Sequence, residues 1–257
     1  IKLPFVLFLF YVINKKIYKL FLALLVFLSL VCLSMIQSRA SFVGVALVLV
    51  GYVGLNGLLY LKNRKIKYLS NLVYLIVPFM ISILVNQIYL SSKGADAVKR
   101  AATISFSTND GSVNQRLRYY EDVLTHLKSN PIFGVGLGNW KLKSIEYDAK
   151  DIVGYVVPYH AHSDFIQLGA ELGVIGFLLY LGLFILAGYF VFRLIRYSNA
   201  QENEKIFLFM LLLSLGVYFV DANLNFPIAR PQVLVVWSCI MSLIIGYDQK
   251  FQNKKYR

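Results

Sequence analysis

Charged side chains are scarce in this chain. They make up 15% of its 257 residues, and only 13 residues are acidic, whereas a soluble domain carries about 25% charged residues. Such a composition is a poor fit to a soluble enzyme domain, a disordered tail or a coiled coil. Cysteine is almost missing. Cys32 and Cys239 both lie inside apolar runs and read as two small buried hydrophobes, with no disulfide framework and no metal-ligand spacing. Histidine occurs three times. No internal repeat and no low-complexity segment is visible. No cleavable signal peptide is in view. The first residue is Ile1 rather than Met, and an apolar run follows at once. The sequence is therefore expected to be the C-terminal part of a longer protein.

What is abundant is apolar. Hydrophobic residues reach 58%, and the mean hydropathy is +0.63, the composition of a polytopic membrane protein. Lys and Arg number 26, for a net charge of +13. In a soluble protein that excess would point to nucleic acid; here it points to basic cytoplasmic loops facing anionic lipid. A spanning helix needs about 20 mostly apolar residues. Full spans are expected at Ile17–Ile36, Phe42–Leu61, Leu69–Leu90 and Phe165–Phe192. Shorter ones at Ile206–Val220 and Gln232–Tyr247 gain a turn at each end, and Leu3–Ile13 reads as the end of a truncated span. The fold class is all-α, a polytopic transmembrane bundle, with residues 91–163 as a long loop containing a short helix. The whole of 1–257 forms the C-terminal part of one membrane domain.

Orientation follows from the short loops. One set holds Lys15, Lys16 and Lys19; Lys62, Arg64, Lys65 and Lys67; Arg193, Arg196 and Lys205; and Lys250, Lys254, Lys255 and Arg257. The alternate set holds only Arg39 and Arg230. The first set is cytoplasmic, so Arg39, loop 91–163 and Arg230 lie on the outer face. Within the loop, Ser91–Gly111 is polar and mobile in character. Asn114–Ser129 has helical spacing, with Val123, Leu124 and Leu127 on one face, Ser112 or Asn114 as cap and Pro131 as stop. Residues 144–159 read as irregular.

Five segments carry possible chemistry. Arg39 sits in a turn of about five residues, Gln37-Ser38-Arg39-Ala40-Ser41, where burying a charge costs about 2.5–3.5 kcal/mol. It reads equally as an arginine snorkelling to a headgroup or as an anion clamp. Arg116-Leu117-Arg118 heads the loop helix; Arg116 shares a face with Tyr120, and Glu121 and Asp122 can pair with the arginines on a solvated surface. Pro158-Tyr159-His160-Ala161-His162-Ser163-Asp164 brings two histidines to the loop–membrane junction, where an imidazole suits proton transfer near neutrality. A His-x-His chelate lacks a third ligand with suggestive spacing, and a structural histidine is the alternative for either ring. Gly134-Val135-Gly136-Leu137-Gly138 lacks the dinucleotide and P-loop patterns and reads as tight turns bringing backbone close to a neighbour. Asp221-Ala222-Asn223-Leu224-Asn225-Phe226-Pro227, followed by Arg230, is either a site wall or a hydrophilic turn.

The ordered set resembles the O-antigen ligase and polymerase superfamily of bacterial membrane glycosyltransferases. It comprises the Ser-Arg-Ala turn, Arg116-Leu-Arg-Tyr-Tyr-Glu-Asp-Val-Leu, Asn130-Pro-Ile-Phe-Gly-Val-Gly-Leu-Gly, His160-Ala-His162-Ser-Asp-Phe-Ile-Gln-Leu and Glu171-Leu-Gly-Val-Ile-Gly. The pattern covers about residues 35–235. The resemblance implies a glycosyltransferase C-type helical membrane enzyme in the bacterial inner membrane. Such an enzyme takes a glycan from an undecaprenyl-pyrophosphate carrier on the outer face and passes it to an acceptor hydroxyl, lipid A-core for a ligase. O-antigen or exopolysaccharide polymerisation and transfer to protein use the same motifs; a non-catalytic polysaccharide transporter is the reading from a different class. The implied partners are the lipid-linked glycan donor, a lipid or glycan acceptor and membrane lipid, with no nucleic acid. No metal, cofactor or nucleotide sugar is implied, and the anomeric centre is inverted. Arg39 and Arg116 match the two family arginines, and Arg118 and Arg230 stand beside them as pyrophosphate-binding candidates. His162 matches the family histidine, with His160 as its close alternative, and Ser163 stands where the family usually has Asn. Guanidiniums are suited to a leaving pyrophosphate; at 4 Å a unit pair is worth about 4 kcal/mol at an effective dielectric of 20.

Overall fold

The computed structural model describes residues 1–36, 38–91, 111–149 and 159–253. Gln37, residues 92–110 of the stretch Ser91–Gly111 expected to be mobile, residues 150–158 of the stretch expected to be irregular, Pro158 among them, and the tail charges Lys254, Lys255 and Arg257 lie outside the described residues. Among the described residues every regular element is helical: α1 Leu3–Val12, α2 Lys16–Ile36, α3 Arg39–Asn63, α4 Lys67–Ser91, α5 Gly111–Ser129, α6 Trp140–Asp148, α7 Asp164–Tyr197, α8 Glu202–Leu224 and α9 Pro231–Asn253, with a 3-10 turn at Pro227–Ala229. Six of these (α2, α3, α4, α7, α8 and α9) are long and apolar enough to cross a membrane. The all-α polytopic reading holds, and each expected span lies within a longer helix.

Length and outward-facing side chains agree. At 1.5 Å per residue, the 21 residues of α2 reach about the 30 Å of a hydrocarbon core. Leu20, Phe21, Leu24 and Leu28 of α2 are exposed, as are Leu178, Leu179, Ile185 and Leu186 of α7; in lipid such faces need no cover. The same physics corrects the cysteines. Cys32 and Cys239 are exposed, because a lipid-facing surface is as apolar as a core and an apolar context does not mark the interior.

The chain divides into two compact units. The first comprises Ile1–Ile104, Phe190–Val220 and Val236–Arg257. Its core joins Leu7 and Phe10 of α1, Val26 and Leu30 of α2, Val48 and Tyr52 of α3, Leu75 of α4, and Ile206 and Met210 of α8. Some polar side chains inside these spans donate to a carbonyl one turn back or to a neighbouring helix, which bilayer burial favours. Asn56 donates to the Tyr52 carbonyl at 2.9 Å, and Asn86 donates to the Ser82 carbonyl at 2.7 Å and to the Ser34 hydroxyl. At the basic ends, Glu202 accepts from Asn63 at 2.8 Å and from Tyr68, and Arg193 pairs with Asp248.

The second unit comprises Ser105–Tyr189 and Asp221–Val235. Its core is Val123, Trp140, Ala161 and Ala170, with Leu127, Val135, Tyr147 and Ile166 against it. Three expectations are revised here. Residues 144–148, expected to be irregular, lie in α6, which starts at Trp140 because that indole buries on α5. The buried face of α5 is Tyr119, Val123 and His126, while Leu124 is 55% exposed; positions i, i+4 and i+7 share a face and i+1 turns about 100° away. Ser112 and Asn114 stand inside α5 rather than capping it. The helix ends at Ser129 ahead of Pro131, as expected.

Candidate functional site

The glycines of 134–138 hold the second unit together. Gly134, Gly136 and Gly138 all have positive φ, at 61°, 90° and 77°. The segment runs along the first turns of α7: Val135 N–H donates to the Ala170 carbonyl at 3.0 Å and Gly136 N–H to the Glu171 carbonyl at 2.8 Å. Those carbonyls are available because α7 breaks at Gly173 (φ 68°, ψ −167°). Val174 N–H then bonds the Pro131 carbonyl at 2.9 Å. A Cβ at Gly173 would fall 2.1 Å from the Ile132 oxygen, and one at Gly134 2.3 Å from the Ala170 oxygen. The expected close backbone approach is therefore present, and it locks the loop to the first turns of α7, just after the histidine segment.

That segment enters α7 through a cap. Ser163 accepts Ile166 N–H on its hydroxyl at 3.4 Å and Gln167 N–H on its carbonyl at 2.9 Å. Ser and Asn are both strong N-cap residues, so this position asks for a capping side chain and Ser serves as well as Asn. His162, just before the cap, has φ 55°, a conformation that costs a non-glycine residue about 1–2 kcal/mol and that clusters at functional sites.

His162 stacks on Tyr119 with ring centroids 6.0 Å apart and meets the edge of Phe226 at 5.4 Å. Burial, the Arg116 charge and His160 together hold its pKa below the usual histidine value, so the imidazole is neutral at neutral pH. His160 stacks on Phe226 at 4.2 Å, and its Nδ1 lies 3.2 Å from the Gln167 carbonyl oxygen. Tyr120 reaches the His162 carbonyl at 3.5 Å and the Asn223 carbonyl at 3.4 Å; burial raises its pKa while Arg116 opposes the rise. Arg116, Tyr120 and both histidines thus share one neighbourhood. Arg118 lies over Tyr119 at 5.5 Å.

The segment 221–230 packs on both histidines through Phe226. Arg230 lies over Phe226 at 5.1 Å and 4.0 Å from the Asp221 carboxylate. Asp164 pins this segment: its carboxylate accepts Ile228 N–H at 3.0 Å and the Tyr180 hydroxyl at 3.3 Å. Asp164 therefore positions the Phe226 turn. Sequence reasoning passed over Phe226, Tyr119 and Gln167. Their one signal was position, beside a motif arginine, a prolyl turn and the histidine pair.

Arg39 belongs to the first unit. The preceding span α2 ends at Ile36, and Arg39 is the first residue of α3. A cation at the positive end of a helix dipole is disfavoured, and both positive groups attract an anion. Two residues on, a cavity of about 260 Å³ begins, lined by Leu30, Phe42, Val45, Phe79 and Ile83 with Ser34, Ser41 and Asn86. Among the described residues, no group of three or more His, Cys, Asp or Glu side chains is placed to hold a metal ion.

Comparison with known proteins adds one match. The family model described as O-antigen ligase matches residues 23–181, from α2 through the kink in α7 and more than half of the chain. No curated protein and no solved structure matches. With the six spans, the arginine-headed α5, the glycine loop and the capped histidine segment in family order, the chain belongs to the O-antigen ligase family.

Proposed function

We propose that the protein transfers a glycan from undecaprenyl pyrophosphate to an acceptor hydroxyl, as an O-antigen ligase on the outer face of the bacterial inner membrane. The acceptor oxygen attacks the anomeric carbon, and the bond from that carbon to the pyrophosphate oxygen breaks with its electron pair on the pyrophosphate. The hydroxyl proton passes to His162. In-line attack inverts the anomeric centre, and the arginines rather than a metal carry the leaving-group charge. Arg39 and Arg116 are each assigned to the pyrophosphate, with Arg118 and Arg230 lending positive charge. The cavity beside Arg39 suits the first isoprene units of the carrier.

The observation that carries this reading is the placement of His162 against Tyr119 and Phe226, where burial first and the Arg116 charge second lower its pKa. A base has to be unprotonated to work, and the guanidinium that attracts the donor also keeps the imidazole neutral until the donor arrives. Purified protein in nanodiscs, given lipid-linked glycan and lipid A-core, tests it. Glycosylated acceptor forms with the wild type, and excess chelator leaves the rate unchanged. His162→Ala loses transfer while still binding donor. Near-normal turnover of His162→Ala rejects the assignment of the base.

A further inference from the structure

The hydrogen bonds behind His160 form a line with one consistent direction. Glu171 is buried, 3% exposed. Its carboxylate accepts Gly138 N–H at 2.9 Å and the Gln167 side-chain amide at 3.1 Å. A carboxylate only accepts, so the NH₂ end of Gln167 has to face Glu171, and its carbonyl oxygen has to face the other way. That oxygen lies 3.4 Å from Ala161 N–H and 3.2 Å from His160 Nδ1. A carbonyl cannot donate, so Nδ1 carries the proton. In a neutral imidazole the other nitrogen is then a bare acceptor.

We propose that Glu171, acting through Gln167, is a positioning residue that holds His160 in its Nδ1–H tautomer, dedicating Nε2 to a hydrogen bond from a hydroxyl of the acceptor sugar. The identity of that hydroxyl rests on the transfer reading above; the tautomer does not. The division of labour is physical. His162 lies under the Arg116 charge and has its ring placed by aromatic contacts. His160 is held by a directional bond and by Phe226. One takes the proton of the attacking hydroxyl, and the other receives a neighbouring hydroxyl of the same sugar and fixes its approach. The line also gives the Glu171-Leu-Gly motif and the glycine loop a shared purpose. Gly138 N–H holds the carboxylate, the carboxylate orients the amide, and the amide sets the ring.

Nitrogen-15 spectra of histidine-labelled protein at pH 8 read the tautomer directly. His160 is expected to show a protonated Nδ1 and an unprotonated Nε2, and Gln167→Leu to show both tautomers. A proton on Nε2 in the wild type, or an unchanged spectrum in Gln167→Leu, overturns the relay. In transfer assays, Gln167→Leu and His160→Asn are expected to raise the acceptor KM roughly threefold to tenfold, the range of one neutral hydrogen bond, with the donor KM unchanged. His160→Gln, whose amide reaches the Nε2 position, is expected to recover part of the loss. An unchanged acceptor KM in both variants overturns the role toward the hydroxyl. If the wild type transfers no glycan to any hydroxylated acceptor, the transfer reading falls with the hydroxyl role, and the spectra still decide the tautomer.

Discussion

At the scale of the residue, the neighbourhood of His162 makes a titration prediction. Burial, Arg116 and His160 all disfavour its imidazolium, so its midpoint in the donor-free protein is expected below the ordinary value of about 6.5. Arg116→Gln removes one of these terms, and the midpoint should rise toward the ordinary value. An NMR pH titration of the His162 ring checks the direction. In the wild type, kcat/KM should then hold steady down through neutrality and fall only as the pH drops below the depressed midpoint, because protonation removes the accepting lone pair. The arginines make a second prediction. Arg39→Ala and Arg116→Ala should each abolish transfer while the protein still inserts in the membrane. Lysine at either place should recover little, because it lacks the bidentate fork. Single-turnover assays beside a membrane-extraction control measure both. Free transfer by Arg39→Lys would remove the clamp.

At the scale of the element, the junction of loop 131–138 with α7 separates two kinds of glycine. Gly173→Ala combines a left-handed φ with a Cβ placed 2.1 Å from the Ile132 oxygen, so backbone has to move. A loss of at least about 3 kcal/mol is expected, a strain cost plus a displaced hydrogen-bonded loop segment. Gly138→Ala has a similar φ, 77°, but its Cβ meets nothing within 4 Å; about 1–2 kcal/mol is expected, the conformational cost alone. Thermal unfolding in one detergent ranks the two. The α5–α6 pair makes an acid prediction. His126 bonds the Tyr147 hydroxyl at 3.0 Å and packs against Trp140, and burial holds its pKa below the usual value. The unfolded chain therefore binds a proton near pH 6.5 that the folded one refuses. The stability this histidine provides is present above that pH and is lost as the pH falls toward the depressed folded value. Trp140 fluorescence should report loosening of this pair in mild acid, and His126→Phe should remove that pH dependence.

At the scale of the whole molecule, the testable property is orientation. The charge asymmetry of the short loops predicts an outer-face position for Arg39, α5, α6 and Arg230. Cys32 and Cys239 face outward on spanning helices, so a cysteine-free background is needed. In that background, Lys141→Cys on the exposed side of α6 should react with a membrane-impermeant maleimide in spheroplasts. Lys65→Cys should react only after the membrane is opened. The reverse pattern would put the histidine site in the cytoplasm, where an outer-leaflet donor cannot reach it.

The sequence by itself determined the spans, because twenty apolar residues in a row have one low-energy solution in a bilayer, and a helix satisfies its own backbone. It also showed the family, since the motifs keep their order along the chain. The charges of the short loops give an expected orientation without any fold, and labelling decides it. Tertiary structure decided everything that depends on direction. Arg116 and His162 lie 46 positions apart in the chain, and only folding brings the charge of one to bear on the other. Phe226 and Asp164 took their roles from the 3-10 turn at Pro227, which no periodicity announces. Trp140 made a helix of a stretch whose local pattern was mixed, because a buried indole outweighs weak propensity. The two histidines read alike on paper and differ in the structure. One is held by ring stacking under a cation and the other by a carbonyl, and a hydrogen bond's direction is set by the partner that folding supplies.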